Sequence, residues 1–96
     1  MKSIIQKNRG ACYFCGCPVT EVHHCWYGTA NRALSDADGL VVDLCPLHHR
    51  LLHEQGYGAE ELKLEAERAW IKHYGKTEAD FIKRYGKSVL NGRGIL

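Results

Sequence analysis

One segment, residues 44–54 (LCPLHHRLLHE), constrains the fold of this chain more than any other, because a proline and four metal-ligating side chains stand close together in it. Pro46 is suited to the first position of a helix, where its missing N–H costs no hydrogen bond. Gly56 is suited to the position just beyond a helix end. We therefore predict a short helix that starts at Pro46 and stops near Gly56.

The potential ligands in this segment fall on two stripes of that helix. His49 and His53 are four residues apart and share one face. Cys45 and His48 are three residues apart and lie on a neighbouring stripe, turned away from the histidine pair. One short helix is therefore predicted to contribute ligands to two different metal sites.

Length and composition predict one small globular domain over residues 1–96. A chain of 96 residues can bury only a modest hydrophobic core, so a bound metal is the expected staple. The net charge of +2 permits nucleic-acid binding without requiring it. Because neither a membrane-length apolar stretch nor a signal-peptide pattern is visible, we expect a cytoplasmic protein with no membrane partner.

The cysteines favour a metal site over disulfides. Five cysteines is an odd number, and without an export signal the Cys12-x2-Cys15 pair is better interpreted as thiolate ligands in a reducing compartment. Cys12 and Cys15 match the Cys45-x2-His48 pair in spacing, which predicts a structural zinc with these four ligands. The alternative is that the cysteines are small buried hydrophobic residues. Cys17 is a competing ligand to Cys15, and we expect it and Cys25 to be spectators.

The remaining elements follow from periodicity and turn residues. Residues 1–10 are expected to form a loose arm or a short helix, and residues 91–96 to be frayed. Strands are predicted over Val19–Trp26 and Leu40–Leu44, separated by a loop, Tyr27–Gly39, that is rich in Gly, Asn, Ser and Asp. Two more helices are predicted, one over Glu60–Tyr74 and one that starts at a Thr77-x-x-Asp80 capping box and ends at Gly86.

The two C-terminal helices carry apolar stripes that should pack on the sheet and on each other. The stripes are Leu62, Ala66, Ala69, Trp70 and Tyr74 on the first helix and Phe81, Ile82 and Tyr85 on the second. Their other faces mix charges of both signs, namely Lys63, Arg68, Lys72, Lys83, Arg84 and Lys87 with Glu61, Glu65 and Glu67. We interpret that mixture first as solubilising charge and only second as a DNA-flanking surface.

The order strand, loop, strand, helix, with His23-His24 on the first strand and His49-x3-His53 on the helix, resembles the HNH (ββα-metal) endonuclease superfamily. The resemblance covers about residues 12–56 and is closest to small phage and prophage HNH proteins with a zinc knuckle. It implies an α+β fold: a small zinc-stabilised, treble-clef-like ββα-metal unit over residues 12–56, followed by C-terminal helices over residues 57–90. It also implies a metal-dependent DNA endonuclease in a bacterial host cell.

Residue roles carry over from the family only where this sequence matches it. The resemblance makes His23 a ligand of the catalytic metal and His24 the general base, with His49 and His53 as further ligands. Imidazole ligands favour Zn²⁺, Ni²⁺ or Mn²⁺, and Mg²⁺ becomes possible when phosphate and water supply oxygens. The family's middle Asn has no clean match, and Asn31 is the candidate for its role.

Several neighbouring residues have two interpretations each. Arg32 and Arg50 are candidate phosphate clamps in the nucleic-acid-binding surface, and Arg32 is also counted with the catalytic group. Glu21 and Glu54 could support metal ligands, although a solvated surface role is favoured for both. For Trp26, core packing is favoured over stacking on an unpaired base.

The chemistry predicts a nuclease, with two alternatives kept open. A metal held by three protein ligands keeps positions open for a phosphate oxygen, and a neutral imidazole can take a proton from water. The first alternative is a zinc-stabilised nucleic-acid-binding module without catalytic activity. The second is a treble-clef protein-interaction module, which would leave the histidines without a joint purpose. DNA is the expected partner, together with a second copy of the chain or a DNA-processing protein of phage or host.

Overall fold

A two-stranded antiparallel sheet and four helices make up the regular structure of residues 2–90, the part of the chain that the computed structural model describes. The predicted α+β class is therefore confirmed. The elements in chain order are β1 (Glu21–His24), α1 (Thr29–Asp38), β2 (Val41–Leu44), α2 (Pro46–Gln55), α3 (Ala59–Tyr74) and α4 (Glu78–Tyr85). The frayed end predicted for residues 91–96 lies outside the described residues.

β2 forms where β-branched and apolar residues dominate, and its pairing with β1 sets the register of the histidine pair. β2 is buried along its whole length, whereas β1 has one side toward solvent. His23 pairs with Val42 and His24 with Val41. Side chains alternate along a strand, so these neighbouring histidines leave β1 on opposite sides, yet both line the same cleft. Both strands are shorter than predicted, since Val19, Thr20, Cys25 and Trp26 fall outside β1 and Leu40 outside β2.

The segment between the strands is a helix, not the predicted loop. Its Asn, Ser and Asp content suggested turns, but Ala30, Ala33, Leu34 and Ala37 favour a helix. Gly39 closes α1 as a left-handed C-cap with φ +80°, a conformation that glycine adopts without a Cβ penalty. The loop prediction was wrong because the two glycines of the segment, Gly28 and Gly39, cap the helix ends and do not interrupt it.

The other three helices have the ends that the sequence signals predicted. Pro46 opens α2, and Gly56 ends it as a left-handed C-cap. A complete capping box between Thr77 and Asp80 opens α4: the Thr77 hydroxyl accepts from the Asp80 N–H, and the Asp80 carboxylate accepts from the Thr77 N–H. These three elements are confirmed to within one or two residues.

One hydrophobic cluster joins the strand–helix unit, which consists of β1, α1, β2 and α2, to the C-terminal helices α3 and α4. Trp26, Leu40, Val42 and Leu44 belong to the same buried cluster as residues from α3 and α4, which are Leu62, Ala66, Trp70, Phe81 and Tyr85. Trp26 is 1% exposed, so its predicted core role is confirmed. Ile82, which was assigned to the apolar stripe, is instead 41% exposed.

Asp38, the last residue of α1, ties both C-terminal helices to the sheet region. Its carboxylate accepts hydrogen bonds from Trp70 Nε1 at 2.9 Å, from Tyr85 Oη at 2.7 Å and from the Arg84 guanidinium at 2.6 and 2.8 Å. Arg84 is therefore half of a structural ion pair, and its side chain also stays 38% exposed, so the predicted surface charge has a structural role as well. A bidentate guanidinium–carboxylate pair has the geometry of a strong, charge-assisted interaction.

Glu67 is a second charge that does not face solvent. It is fully buried, and its carboxylate accepts hydrogen bonds from the Ser88 hydroxyl at 2.5 Å and the Val89 N–H at 2.8 Å. A buried carboxylate is tolerated only with such partners, so Glu67 anchors the chain beyond α4 against α3. Its prediction as an outward-facing charge was wrong.

The N-terminal arm contains no helix or strand between residues 2 and 10, yet it is anchored to β2. Arg9 donates two hydrogen bonds of 2.9 Å to Asp43, and the Gly10 N–H donates a third at 2.7 Å. The Ser3 hydroxyl donates to the Val41 carbonyl at 2.5 Å. Among residues 2–90, no helix has both the length and the apolar character needed to cross a membrane.

Candidate metal centres

A tight turn presents the first two cysteines. The Gly16 N–H donates to the Cys12 carbonyl at 2.8 Å, and the Cys12 N–H donates to the Cys17 carbonyl at 2.8 Å. Gly16 has φ +80°, which lets the chain reverse here without steric cost. The turn orients the side chains of Cys12 and Cys15 toward the start of α2.

The start of α2 presents the second pair. Cys45 is the N-cap of the helix, and its sulfur accepts a hydrogen bond from the His48 N–H at 3.5 Å. Sulfur as the capping atom is unusual, since N-caps normally use oxygen. The cap brings His48 Nδ1 to 3.2 Å from Cys45 Sγ.

The four side chains predicted to bind zinc converge on one point. Their ligand atoms all lie within 4.8 Å of one another. Cys15 Sγ and Cys45 Sγ are 3.8 Å apart, and Cys12 Sγ and His48 Nδ1 are 3.7 Å apart. A tetrahedral zinc site with ordinary bond lengths has edges of about 3.8 Å between sulfurs and about 3.6 Å between sulfur and nitrogen. This cluster of Cys12, Cys15, Cys45 and His48 can therefore hold a metal ion such as zinc.

The electrostatics of the cluster favour the thiolate form at Cys12, whereas the neighbouring thiols Cys12 and Cys45 contribute to a raised pKa at Cys15. Burial acts to raise the pKa of Cys12, but surrounding hydrogen bonds, that of the Cys45 backbone first, bring the pKa down to about 6. Cys25 behaves in the opposite way, because burial in the hydrophobic core raises the pKa of its thiol. Cys25 and the half-buried Cys17 both lie outside the cluster, as predicted.

Aromatic rings cover the cysteine cluster. Phe14 packs on His48 with ring centroids 5.6 Å apart and on Tyr57 at 5.3 Å. Gly58 makes this packing possible, since a Cβ there would lie 2.4 Å from Phe14 Cζ. The connection between α2 and α3 is therefore fitted to the turn that carries the cysteines.

A second cluster forms where β1 faces α2. His23 lies 5.2 Å from His49 and 5.3 Å from His53 between ring centroids, and one ligand nitrogen of each lies within 4.8 Å of the others. Together with Tyr27 and Arg32 these histidines line a cleft of about 200 Å³. The structure thus brings together the three side chains that the sequence pattern associated with a second metal.

His23 has the properties of a metal ligand. It is 2% exposed, and its Nε2 is buried without a hydrogen-bond partner among the described residues. Buried polar atoms in proteins are nearly always paired, so this nitrogen needs another partner. Burial, and then the neighbouring imidazoles, lower the pKa of His23 to about 3, which keeps the ring neutral and its lone pair available at neutral pH. The three imidazoles of this cluster, His23 included, are donors that suit a divalent transition metal.

Glu21 supports the histidine cluster instead of remaining free in solvent. Its Oε1 lies 2.7 Å from His49 Nδ1, which leaves Nε2 as the nitrogen of His49 that can bind a metal. A carboxylate on the far nitrogen of a ligating histidine fixes the ring and its tautomer. Glu21 therefore contacts the site, although a solvated role was favoured for it. Glu54 is exposed, in agreement with the solvated role favoured for it.

His24 is held by a residue that the sequence analysis did not single out. Its Nε2 lies 2.5 Å from Oδ1 of Asp36, a residue of the segment that was predicted to be a loop. Asn31 lies on the same helix and is half-buried, but among the described residues it makes no hydrogen bond with His24. The signal that could have revealed Asp36 is its helical position, because it follows Arg32 by one turn on a face toward the cleft.

The two predicted phosphate clamps occupy different positions. Arg32 is exposed on α1 and lines the cleft beside the histidines. Arg50 is exposed on α2 and is not part of the cleft wall. Tyr27 also lines the cleft, where its ring could stack on a base, and lies 5.8 Å from the ring of His23 and 5.3 Å from that of His53.

The short helix α2 contributes two residues to each cluster, Cys45 (as its N-cap) and His48 to one, His49 and His53 to the other. Each cluster has donors suited to a transition metal. No protein-family model, no curated protein and no solved structure matches this chain.

Proposed function

We propose that this chain is a metal-dependent DNA endonuclease of the HNH (ββα-metal) type. The observation that carries the proposal is the arrangement around the cleft: three histidine ligand nitrogens converge within 4.8 Å, and a fourth imidazole, His24, is separately held by Asp36. A site that only stored a metal would have no use for a carboxylate-oriented imidazole beside it. Phosphodiester hydrolysis needs both parts.

His23, His49 and His53 would hold a divalent ion, which supplies Lewis-acid stabilisation of the charge that develops on the phosphate. The donor set is entirely imidazole and so favours Zn²⁺, Ni²⁺ or Mn²⁺ over Mg²⁺. The Cys12, Cys15, Cys45 and His48 cluster is proposed as the structural zinc site. It has four donors, so a tetrahedral zinc ion bound there would have no open coordination position for substrate.

His24 is the proposed general base. With Nε2–H donated to Asp36, the lone pair of a neutral ring resides on Nδ1. Nδ1 takes a proton from water while the water oxygen attacks phosphorus and the bond from phosphorus to the leaving oxygen breaks. Asp36 is a positioning residue, because it acts on substrate only through His24. It takes the orienting role for which Asn31 was the sequence candidate.

Arg32 is the proposed phosphate contact of the cleft, since its guanidinium stands at the wall formed by the histidines. Arg50 is exposed on the helix that carries His49 and His53 and would contact a more distant phosphate. We extend the resemblance to phage and prophage proteins into the proposal that the substrate is DNA in a bacterial cell.

A plasmid-nicking assay tests this function. Wild-type protein and the His24→Ala variant are incubated with supercoiled plasmid and each of Mg²⁺, Mn²⁺, Ni²⁺ and Zn²⁺, with His73→Ala as the matched control. His73 is exposed at the end of α3. We expect wild type and His73→Ala to cut, and His24→Ala to be slower by about 10²- to 10⁴-fold, the usual contribution of a general base. Absence of cutting with every ion, or equal rates for His24→Ala, would overturn the proposal.

The second candidate is a zinc-stabilised nucleic-acid-binding module without activity. The observation that favours it is the unequal completeness of the clusters, because one has four donors and the other has three. Metal analysis after gel filtration distinguishes the two functions. A binding module retains one tightly bound zinc per chain and takes no second ion, whereas the nuclease also binds an ion that depends on His53.

A further inference from the structure

Lys63, on α3, packs over Tyr27, a residue of the histidine cleft, although its helix lies outside the strand–helix unit. Its ammonium lies 4.8 Å from the ring centroid of Tyr27, which lines the cleft, and 5.6 Å from that of Trp26. The Lys63 carbonyl accepts a hydrogen bond from Trp26 Nε1 at 3.1 Å. That bond joins α3 to the chain just after β1, so the position of Lys63 relative to the cleft is fixed by the core.

The charge of Lys63 is not consumed by a carboxylate. Among residues 2–90 the ion pairs of lysine and arginine are those of Arg9, Arg68 and Arg84, and Lys63 takes part in none. An ammonium over an aromatic face keeps hydrogen-bond donors directed elsewhere. The carboxylates that contact the site histidines, Glu21 and Asp36, are engaged by His49 and His24. Lys63 therefore retains both charge and donors for a ligand.

We propose that Lys63 is a phosphate-binding residue that extends the nucleic-acid surface of the cleft onto α3. The inference rests on the proposed function and deepens it, because it specifies where the substrate backbone runs. Arg32 on α1 lines the cleft, and Lys63 on α3 covers Tyr27, another residue of the cleft lining. A phosphodiester backbone that contacts both would pass over the histidine nitrogens, as cleavage requires.

This surface fits a polyanion better than a single anion. Its two cations come from different helices, one in the cleft wall and one over Tyr27, and contacts from separate elements suit repeated phosphates. The rest of α3 supports the assignment by contrast: Lys72 is exposed in its last turn, about 180° around the helix from Lys63. Lys72 offers the same chemistry away from the cleft.

Salt-dependent DNA binding tests the proposal. All proteins carry His24→Ala so that the DNA is not cut, and fluorescence anisotropy of a labelled duplex is measured over a series of salt concentrations. Lys63→Met retains an apolar stem but loses the charge. We expect it to weaken binding by roughly three- to tenfold, and to reduce the slope of log K against log salt by about 0.9, the value for one phosphate contact. Lys72→Met is the matched control and should change neither quantity.

A third variant separates charge from packing. Lys63→Arg restores the cation, so it should recover the slope even when Lys63→Met lowers the melting temperature through lost contact with Trp26. An unchanged slope in Lys63→Met, or a slope that Lys63→Arg fails to recover, overturns the role of Lys63. If the parent protein with Lys63 intact does not bind the duplex at all, the proposed function itself fails, and the role of Lys63 with it.

Discussion

His24 Nε2 lies 2.5 Å from Asp36 Oδ1, and this contact joins the end of β1 to the last turn of α1. The histidine side chain is mostly covered, whereas the carboxylate is 46% exposed. Asp36 can therefore change without disturbing the hydrophobic core. This makes it the most direct means of testing whether the orientation of His24 matters for chemistry.

We expect Asp36→Ala to slow DNA cleavage by roughly 10- to 100-fold, the range seen when the partner that orients a site histidine is removed. DNA affinity should change less than the cleavage rate, because orientation of a base acts on the barrier and not on ground-state binding. Asp36→Asn keeps an oxygen acceptor and should recover part of the rate. The measurement is single-turnover cleavage with DNA affinity determined in parallel.

The control for Asp36 is Glu54→Gln, which removes the same charge from an exposed residue of α2. Its cleavage rate should match that of wild type. Equal rates for Asp36→Ala and Glu54→Gln would mean that His24 does not need this carboxylate.

The sequence predicted the parts of the fold that obey local rules. Pro46, Gly56 and the Thr77–Asp80 capping box act within one helical turn of themselves, so the helix ends they mark could be recognised directly. The same holds for the Cys12–Cys15 and Cys45–His48 pairs, because two ligands separated by two residues are typical of a turn that binds a metal. The four-donor cluster was therefore predictable without tertiary information.

The parts that could not be predicted depend on contacts distant in sequence. Asp36 faces His24 only because residues 29–38 form a helix, and that helix was missed. Arg84 and Glu67 look like ordinary surface charges in a helical pattern. Their partners, Asp38 and Ser88, are 46 and 21 residues away, and no local signal identifies them.

The histidine cluster should bind a metal independently of catalysis. His53 is exposed, so His53→Ala removes one of three donors without opening the core. We expect affinity for the second ion to fall by more than about 100-fold, since loss of a direct ligand should exceed the effect of losing an outer partner. Isothermal titration of the zinc-loaded protein with Ni²⁺ or Mn²⁺ measures it.

His73→Ala is the comparison for His53→Ala, because it removes an exposed histidine away from the cleft. It should bind the second ion as wild type does. Loss of affinity in His73→Ala, or retention in His53→Ala, would contradict the assignment of the ligands.

The cysteine cluster should control folding. Metal binding at structural zinc sites provides about 10–16 kcal/mol in small domains, which matches or exceeds the total stability of about 5–15 kcal/mol that such domains possess. Removal of zinc by a strong chelator should therefore unfold the chain. Circular dichroism and thermal melting before and after chelation measure this.

Cys45→Ser should reproduce the effect of chelation, whereas Cys17→Ser makes the same chemical change at a half-buried cysteine outside the cluster. The Cys17 variant should melt close to wild type. A chain that keeps its melting temperature after exhaustive chelation would show that the four donors do not hold a structural ion.

Asp38 should contribute more to stability than any one of its partners. Asp38→Ala leaves the donors of Trp70 and Tyr85 buried without their acceptor, at a cost of about 1–3 kcal/mol for each unsatisfied group. Arg84→Ala removes one partner but leaves the Asp38 carboxylate with the other two, so its effect should be smaller. Chemical denaturation of the zinc-loaded protein measures the free energy of unfolding of both variants. Equal losses of that free energy would mean that only the Asp38–Arg84 ion pair contributes to stability.

Truncation after Gly56 should cost stability before it costs zinc binding. All four cysteine-cluster ligands precede residue 57, so the 1–56 fragment retains them. It loses the partners of Trp26 and Leu40 in the hydrophobic cluster, namely Leu62, Ala66, Trp70, Phe81 and Tyr85. The exposed apolar surface should make the fragment poorly soluble and abolish cooperative unfolding, while one zinc per chain remains bound.

Gel filtration, metal analysis and thermal melting of the fragment test this expectation, with the full chain as reference. The fragment also lacks Lys63, so its DNA affinity should be lower even where it stays soluble. A well-folded fragment with full cleavage activity would show that α3 and α4 are dispensable for the core that holds Trp26. The proposed phosphate contact on α3 would then be dispensable as well.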